Sequence, residues 1–273
     1  MKTSSLVKTA LAEDLGRLGD LTTKFFVPPH TKLSGVIVAK QDGVICGTPV
    51  AAQVFKLLGC RSTILVKDGS RVARGRAIMR ISGGPALLTA ERTALNFLQH
   101  LSGVATLTRV YVDRIKGTRA KIYDTRKTLP GWRALEKYAV KCGGGVNHRM
   151  GLYDAVLVKD NHWASGVDVV AQVAAVRRKH RGILVELEAA DMSQVGRALF
   201  ARPDVILLDN MNIPLLKKAI ASIRKALPKC HIEISGGVDL KTVRSLALLG
   251  PDRISIGRLT HSAPALDLSL EVS

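Results

Sequence analysis

The spacing of hydrophobic positions changes about one third of the way along the chain. Before that point, β-branched stretches punctuated by glycine at 33–47 and 62–83 predict two hairpins, the second turning at Asp68-Gly69. Leucines at helical spacing follow over 89–115. We expect Thr89 to cap this helix and Gly103 to divide it into two helices.

A different rhythm begins near residue 120, where short apolar strands alternate with amphipathic helical segments such as 167–180 and 213–227. Strands that alternate with helices pair in parallel through right-handed crossovers. Near-regular spacing predicts a β/α barrel, complete or incomplete, with an open doubly wound sheet as the alternative. No Gly-x-Gly-x-x-Gly follows the first strand, which weakens the dinucleotide-binding form of that alternative. The predicted strands are 120–125, 155–160, 183–188, 205–209, 231–235 and 253–257.

Composition adds a strong basic excess to this α/β pattern. The 273 residues include 41 basic and 22 acidic side chains, for a net charge of +19. Such an excess favours anionic ligands. Basic residues are spread along the chain without a run of five, and aromatic residues make up only 4%. Because stacking on nucleobases needs aromatic side chains, nucleic acid is an unlikely main partner.

Three observations predict a cytoplasmic protein that does not span a membrane. No apolar run reaches the ~18 residues that a membrane span needs. Residues 1–16 lack the pattern of a secretory signal. The four cysteines are scattered, without a Cys-x-x-Cys pair, which predicts reduced thiols in a cytoplasmic protein and argues against a zinc site.

Chemically useful side chains recur at the predicted ends of the strands, where β/α barrels carry their active sites. Each has an ordinary structural alternative. A carboxylate such as Asp209 is often a helix cap, Ser-Gly-Gly is a common turn, and either Glu186 or Glu188 could be structural. In strand order, the ends carry Arg126 and Lys127, then Lys159, Asp160 and His162, then Glu188, then Asp209, then Ser235-Gly236-Gly237, and last Gly257.

Taken together, these ends predict a site for two anions. Glycine-flanked ends offer free backbone N–H groups to a phosphate. Glu188 and Asp209 suit a hydrated Mg²⁺ or ribose hydroxyl groups. The glycine run at 143–145 lets the backbone turn sharply, so that His148 and Arg149 join the basic residues at the first two strand ends. Guanidinium groups there would bind carboxylates through paired hydrogen bonds.

One long segment carries a family resemblance. "DTRKTLPGWRALEKYAVKCGGGVNHRMGLYDAVLVKDNH" (124–162) strongly resembles the signature region of the quinolinate phosphoribosyltransferase family. Residues 10–23 and 88–106, and later "VELE", "LLDN", "EISGGV" and "ISIGRLTHSAPALDLSL", follow in the family's order, so the resemblance spans nearly the whole chain. Two departures are Trp132, where a smaller apolar residue is usual, and Arg258, which we expect to face solvent.

The resemblance implies an α/β fold of two parts. An N-terminal α/β sandwich over 1–103, joined by 263–273, accompanies an incomplete, TIM-like α/β barrel of about six to seven strands over 104–262. It also implies a cytoplasmic homodimer in which the sandwich of one subunit closes the barrel of the other.

The implied activity is the transfer of a phosphoribosyl group from phosphoribosyl diphosphate to quinolinate with decarboxylation, a step of NAD biosynthesis. The family's catalytic positions match Lys127, Lys159, Glu188 and Asp209, and its Mg²⁺ positions match Glu188 and Asp209. Its quinolinate positions match Arg92 (from the partner subunit), Arg126, His148, Arg149 and Lys159. Its phosphoribosyl diphosphate positions match Lys127, Glu188, Asp209, Ser235, Gly236, Gly237, Gly257 and His261. Two alternatives remain at this point: a relative of the same fold associated with molybdenum transport, and a non-catalytic binder of polyanions.

Overall fold

The computed structural model of the protein describes residues 3–273 and divides by internal contacts into two compact units. The first unit extends to Arg109 and adds Thr128–Gly144 and Arg258–Ser273; the second comprises Val110–Lys127 and Gly145–Gly257. Residues 104–109, 128–144 and 258–262 therefore group with the first unit by their contacts, although they fall within the predicted barrel of 104–262. Within 3–273, no helix has both the length and the apolar character needed to cross a bilayer.

Helices and strands alternate through both units. The elements up to the longest helix are α1 (Thr3–Leu15), α2 (Leu21–Phe26), β1 (Leu33–Ala39), β2 (Gly43–Val44), α3 (Thr48–Leu57), β3 (Arg61–Ile64), β4 (Arg71–Val72), β5 (Ala77–Gly83) and α4 (Ala86–Arg114). The remaining elements are β6 (Lys121–Tyr123), α5 (Arg133–Cys142), β7 (Val156–Val158), α6 (Asp160–Ala164), α7 (Val169–Lys179), β8 (Val185–Ala189), α8 (Met192–Ala201), β9 (Val205–Asp209), α9 (Ile213–Ala226), β10 (His231–Ser235), α10 (Val243–Leu248), β11 (Arg253–Ser255), α11 (Arg258–His261) and β12 (Leu268–Val272).

The first unit contains an antiparallel sheet in the order β12-β1-β5-β3 and a separate β2-β4 pair. The first predicted hairpin, 33–47, is wrong, because β1 and β2 belong to different sheets. The second is confirmed as an antiparallel pair, formed by β3 and β5, although β4 lies between them in the chain. β1 pairs with β5 and β12, and β3 pairs with β5 rather than with β4. A turn does form at Asp68-Gly69, where Ser70 N–H donates to the carbonyl of Lys67. The error arises because β1 is a central strand whose second partner, β12, lies at the far end of the chain.

Helix α4 is continuous through Gly103, so the predicted division into two helices is wrong. Thr89 is not the cap, because the helix begins at Ala86; its hydroxyl donates to Asp20 instead. The absence of a side chain at Gly103 allows the backbone at Pro264 to pack directly against α4. A Cβ atom there would lie 2.1 Å from the carbonyl oxygen of Pro264.

The second unit is built on a six-stranded sheet in the order β6-β11-β10-β9-β8-β7, with every neighbouring pair parallel. β7 to β11 are neighbours in chain order, and β11 then pairs with the first strand, β6. This is the strand order of a barrel that is not fully closed, so the predicted fold class is confirmed and the doubly wound alternative is excluded. β9 and β10 have the bounds that the sequence predicted.

Two aspartates each link the start of one strand to the start of its neighbour: Asp204, just before β9, binds β8, and Asp252, just before β11, binds β10. Asp204 Oδ2 accepts a hydrogen bond from the N–H of Val185 at 2.8 Å. Asp252 Oδ2 accepts from Ile232 N–H at 2.8 Å and from Arg224 at 2.7 Å. Burial alone would raise the pKa of Asp252, but these hydrogen bonds outweigh it and lower the pKa below its usual value. Both carboxylates therefore act at the end of the sheet opposite to the strand C-termini.

Part of the basic excess is explained by helix ends. The last turn of α7 contains Arg177, Arg178 and Lys179, and the last turn of α9 contains Arg224 and Lys225. A helix carries partial negative charge at its C-terminus, so cations there are stabilising.

The two helical glycines Gly103 and Gly196 allow a matched test of the packing. Gly196 lies within α8, and a Cβ there would meet nothing within 4 Å. We expect Gly103→Ala to lower the free energy of unfolding by about 1–3 kcal/mol through the clash with Pro264. Gly196→Ala should raise it by up to about 1 kcal/mol through helix propensity. Urea unfolding followed by circular dichroism measures both, and equal stability of the two variants would contradict the assigned contact.

Candidate active site

The predicted site residues of the second unit follow the C-terminal ends of its parallel strands. In a sheet of parallel neighbours these ends meet at one edge, which is where barrels carry their active sites. The residues concerned are Arg126 and Lys127 after β6, Lys159 after β7, Glu188 near the end of β8, Asp209 at the end of β9, Ser235 at the end of β10 with Gly236 and Gly237 after it, and Gly257 after β11.

The segment after the glycine run lies beside β6. Val146 forms a parallel bridge with Tyr123, its N–H donates to Ile122, and its carbonyl accepts from Asp124 N–H. The buried carboxylate of Asp124 also accepts from the N–H of His148 at 2.7 Å. Of the three glycines, Gly144 has a positive φ of 89°. The run thus supplies a left-handed turn just before a short strand-like segment whose position Asp124 then fixes.

The ring of His148 is held by buried carboxylates inside the second unit. Nε2 lies 3.1 Å from Glu186 Oε2 and 3.5 Å from Glu233 Oε1, and the three side chains are at most 9% exposed. The backbone N–H of Arg149 donates to Nδ1 at 2.8 Å. Both ring nitrogens therefore contact protein atoms, and Glu186 rather than Glu188 takes the structural role that the sequence left open.

The pKa values of His148 and Glu186 are both raised in this cluster. Burial opposes a charge on His148, but hydrogen bonds with Glu186 and Glu233 and their negative charges outweigh it and raise the pKa to about 10. Burial, with the charge of Glu233, also raises the pKa of Glu186. Nδ1 accepts from the backbone N–H of Arg149, so Nε2 carries the ring proton that faces Glu186 and Glu233.

Arg126 and Arg149 come close enough to repel each other. Burial lowers the pKa of Arg149, and the positive charge of Arg126 lowers it further, against the attraction of Glu186 and Asp154. One guanidinium nitrogen of Arg149 donates to the carbonyl of Ala155 at 2.9 Å, which orients the side chain. Two adjacent guanidinium groups form a receptor for an anion with several oxygens.

A second cluster combines Lys159, Glu188 and Asp209. Lys159 Nζ lies 3.8 Å from Glu188 Oε2. Burial raises the pKa of Glu188 and the charge of Asp209 adds to this, although Lys159 opposes it. The carboxylates at the ends of β8 and β9 therefore repel each other. Asp209 is not the cap of the following helix, because Asn212 caps α9.

Glycines shape the end of β10. Gly236 has a φ of 89°, and a Cβ there would lie 2.1 Å from Asn210 Oδ1. Gly237 has a φ of 60° and open space around it. Two consecutive residues in this conformation turn the backbone N–H groups toward a common side, a geometry that suits anions. Ser235 is in register with Asp209 of β9.

Arg92, His261, Trp132 and Arg258 belong to the first unit. Arg92 is exposed on α4, and His261 is exposed at the end of α11. Trp132 stacks on Phe97, with ring centroids 4.7 Å apart, which explains its large side chain. Arg258 is exposed, as expected.

Sequence reasoning missed Asp124 and Glu233 as determinants of the site. Both are fully buried carboxylates at the end or in the middle of an apolar strand. A lone charge in a buried strand was the available signal, because such a charge needs a partner.

Two domains of one family together match nearly the whole chain. Residues 20–102 match the N-terminal domain of quinolinate phosphoribosyl transferase, and residues 104–271 match its C-terminal domain. The chain belongs to the quinolinate phosphoribosyltransferase family. The resemblance recognised in the sequence is thereby confirmed.

Relatives of this family match over almost their full length. Nicotinate-nucleotide pyrophosphorylase [carboxylating] of Mycobacterium leprae is 42% identical, with 97% of this chain and 95% of the relative covered. A probable enzyme of the same name from Synechocystis is 40% identical, over 96% of this chain and 90% of the relative. The solved nicotinate-nucleotide pyrophosphorylase of Ehrlichia chaffeensis superposes with a TM-score of 0.94 at 38% identity, covering 100% of this chain and 99% of that one.

Removing His148 tests the buried cluster. His148→Ala removes one partner that Glu186 and Glu233 share and leaves Arg253 as the nearby positive charge. It should lower the free energy of unfolding by about 3 kcal/mol, as for other broken buried pairs. His231→Ala is the control, because that side chain is 57% exposed; it should change stability by less than about 0.5 kcal/mol. Equal stability of the two variants in chemical denaturation would show that His148 does not support the fold.

Proposed function

We propose that this protein transfers the phosphoribosyl group of phosphoribosyl diphosphate to the nitrogen of quinolinate. The products are nicotinate mononucleotide, diphosphate and carbon dioxide, so the reaction supplies NAD biosynthesis. The observation that carries the proposal is that Arg126 is close to Arg149 and Glu188 is close to Asp209, while Arg126, Glu188 and Asp209 lie at C-terminal strand ends of one incomplete barrel. Homologues with matching length bear the names of this activity.

Quinolinate would be held by its two carboxylates. Arg126 and Arg149 repel each other without an anion, so a carboxylate between them relieves that repulsion. Lys159, half exposed at the end of β7, would contact the second carboxylate. His148 was expected to bind quinolinate directly. We propose instead that it positions Arg149, whose N–H its ring accepts.

Phosphoribosyl diphosphate would occupy the neighbouring strand ends. Ser235, Gly236, Gly237 and Gly257 would offer backbone N–H groups to its phosphates, and Lys127 would offer a side-chain nitrogen. His261 lies in the first unit, and its contact with the phosphates stays a prediction of the family resemblance. Glu188 and Asp209 would accept hydrogen bonds from the ribose hydroxyl groups or hold a hydrated metal.

The same two carboxylates fit Mg²⁺. Oxygen ligands are those that Mg²⁺ prefers, and a bound cation would oppose both the burial and the negative charge of Asp209 that raise the pKa of Glu188. When bound, Mg²⁺ would neutralise charge on the diphosphate leaving group.

The remaining contributions come from side chains of the chain itself. Holding the pyridine nitrogen opposite the anomeric carbon removes much of the entropic cost of bringing two anions together. Lys127 would stabilise the charge that develops on the departing diphosphate. Bond formation makes the ring nitrogen positive, which allows the adjacent carboxylate to leave as carbon dioxide. Lys159 Nζ or water then supplies the proton to the ring carbon.

We further propose that the protein acts as a cytoplasmic homodimer, with Arg92 reaching the quinolinate site of the partner subunit. Support comes from the exposure of Arg92 on α4 and from its match to the family's trans-acting arginine.

The decisive experiment incubates the purified protein with quinolinate, phosphoribosyl diphosphate and Mg²⁺. Release of labelled carbon dioxide with formation of nicotinate mononucleotide is expected, and each substrate should be required. Absence of product with measurable binding of both substrates would indicate a binding protein, and absence of quinolinate binding would indicate the relative associated with molybdenum transport.

Arg149→Ala should weaken quinolinate binding while phosphoribosyl diphosphate still binds. Loss of one charged partner costs about 2–4 kcal/mol, a rise of roughly 30- to 1000-fold in the Kd. Calorimetry with each substrate measures this. Arg178→Ala, an exposed change on α7, is the control and should bind as the wild type does. Unchanged quinolinate affinity in Arg149→Ala would reject the assignment.

Asp209→Asn should raise the Mg²⁺ concentration that half-saturates activity at least about tenfold, because one charged oxygen ligand is lost. Activity measured across a Mg²⁺ titration gives the result. Asp267→Asn, at an exposed position of the first unit, should leave the curve in place. A shift in both variants would point to a nonspecific effect of charge.

Mixing Arg92→Ala with Arg126→Ala should restore activity if Arg92 acts across subunits. A mixed dimer then has one site with both arginines and one site with neither. Random exchange of subunits should therefore recover about one quarter of wild-type activity. Each variant alone should be nearly inactive. No recovery, with mixed dimers demonstrated by mass spectrometry, would place Arg92 in the site of its own subunit.

A further inference from the structure

Two cysteines that are distant in sequence meet inside the first unit. The sulfur atoms of Cys46 and Cys142 and a carboxylate oxygen of Asp68 all lie within 4.8 Å of one another. Cys46 is 0% exposed and Cys142 is half-buried. Cys142 is the last residue of α5, immediately before the glycine run.

Helix α4 holds both cysteines in place. The hydroxyl of Ser102 accepts from the N–H of Cys46 at 2.9 Å and donates to its carbonyl at 3.1 Å. On the other side, a Cβ at Gly143 would lie 2.5 Å from the carbonyl oxygen of Ala105, so the backbone next to Cys142 packs directly on the same helix. The closeness of the two sulfurs is thus fixed by backbone packing on each side.

The hydrogen bonds of Asp68 argue against a metal between these side chains. One oxygen accepts from Gly47 N–H at 2.8 Å and from the Tyr138 hydroxyl at 3.0 Å. The other accepts from the N–H and the hydroxyl of Thr48 at 3.1 and 2.7 Å. Four donors occupy the roughly four acceptor sites of a carboxylate. Asp68 therefore organises the start of α3 and joins it to α5, which leaves the two sulfurs as the reactive groups.

We propose that Cys46 and Cys142 form a reversible disulfide bond with each other, and that a low-molecular-weight disulfide is the oxidant. The bond would join the chain between β2 and α3 to the C-terminal end of α5. It does not depend on the proposed enzymatic activity, because its residues and contacts lie in the first unit alone.

The two sulfurs have different roles. A hydrogen bond from Cys46 lowers the pKa of Cys142, whereas the partner sulfur and burial raise the pKa of Cys46. The half-buried Cys142 is thus the thiolate that attacks, and the buried Cys46 is the resolving thiol.

The exchange proceeds in two balanced steps. The Cys142 thiolate attacks one sulfur of the oxidant, whose disulfide bond breaks to release one thiolate. Cys46 then loses its proton to that thiolate or to water, and its sulfur attacks Cys142 Sγ and expels the second small thiol. Two protein thiols are oxidised while one small disulfide is reduced to two thiols.

The test equilibrates the full-length protein in buffers of reduced and oxidised glutathione, followed by acid quenching, alkylation under denaturing conditions and mass spectrometry. The wild type should lose two of its four free thiols and about 2 Da, with a peptide linking Cys46 to Cys142. The disulfide form should also melt at a higher temperature than the reduced form, since a long loop is closed.

Single variants distinguish the roles of the two sulfurs. Cys46→Ser should stop at a glutathione adduct on Cys142, about 305 Da heavier, and Cys142→Ser should not react at Cys46. Cys60→Ser and Cys230→Ser are the controls and should still form the bond, because burial raises the pKa of both thiols away from reactivity. Four free thiols at every potential, a different linked pair, or one equivalent of zinc protecting both sulfurs would each overturn the proposal.

Discussion

The parallel register of the six-stranded sheet holds negatively charged side chains close together in two places. β8 and β9 place Glu188 and Asp209 on neighbouring strand ends, while β8 and β10 carry Glu186 and Glu233 deeper in the same unit. Backbone hydrogen bonds along the strands provide the free energy that offsets this repulsion. His148 and Arg253 lie beside the interior carboxylates, whereas at the strand ends Lys159 lies 3.8 Å from Glu188.

Elements whose signal is local could be predicted from the sequence. β9 and β10 are continuous apolar stretches bounded by polar residues, and they were placed with their observed bounds. The order of charges at the strand ends followed as well, because parallel neighbours in chain order must align their C-termini. The sequence alone does not decide between Glu186 and Glu188, because the alternation of side chains along a strand places both on the same face of β8. The two differ in burial, since Glu186 is fully buried.

Features that depend on distant partners could not be predicted. β1 was paired with its sequence neighbour because nothing nearby indicates that β12 covers its other edge. Gly103 was treated as a helix breaker, although its role is to admit the Pro264 carbonyl. Cys46 and Cys142 were considered isolated thiols, since 96 positions separate them in the numbering and both are fixed by contacts with a third segment. In each case the deciding contact is made by backbone packing, which leaves little trace in composition.

The carboxylates of Asp204 and Asp252 stand at the opposite ends of the strands from Glu188, Asp209 and Ser235. This separation has an evolutionary consequence. Substitutions that adjust heat tolerance can accumulate around these aspartates while the chemistry stays under its own selection. Engineering for a higher working temperature would accordingly begin at the strand starts, around Asp204 and Asp252.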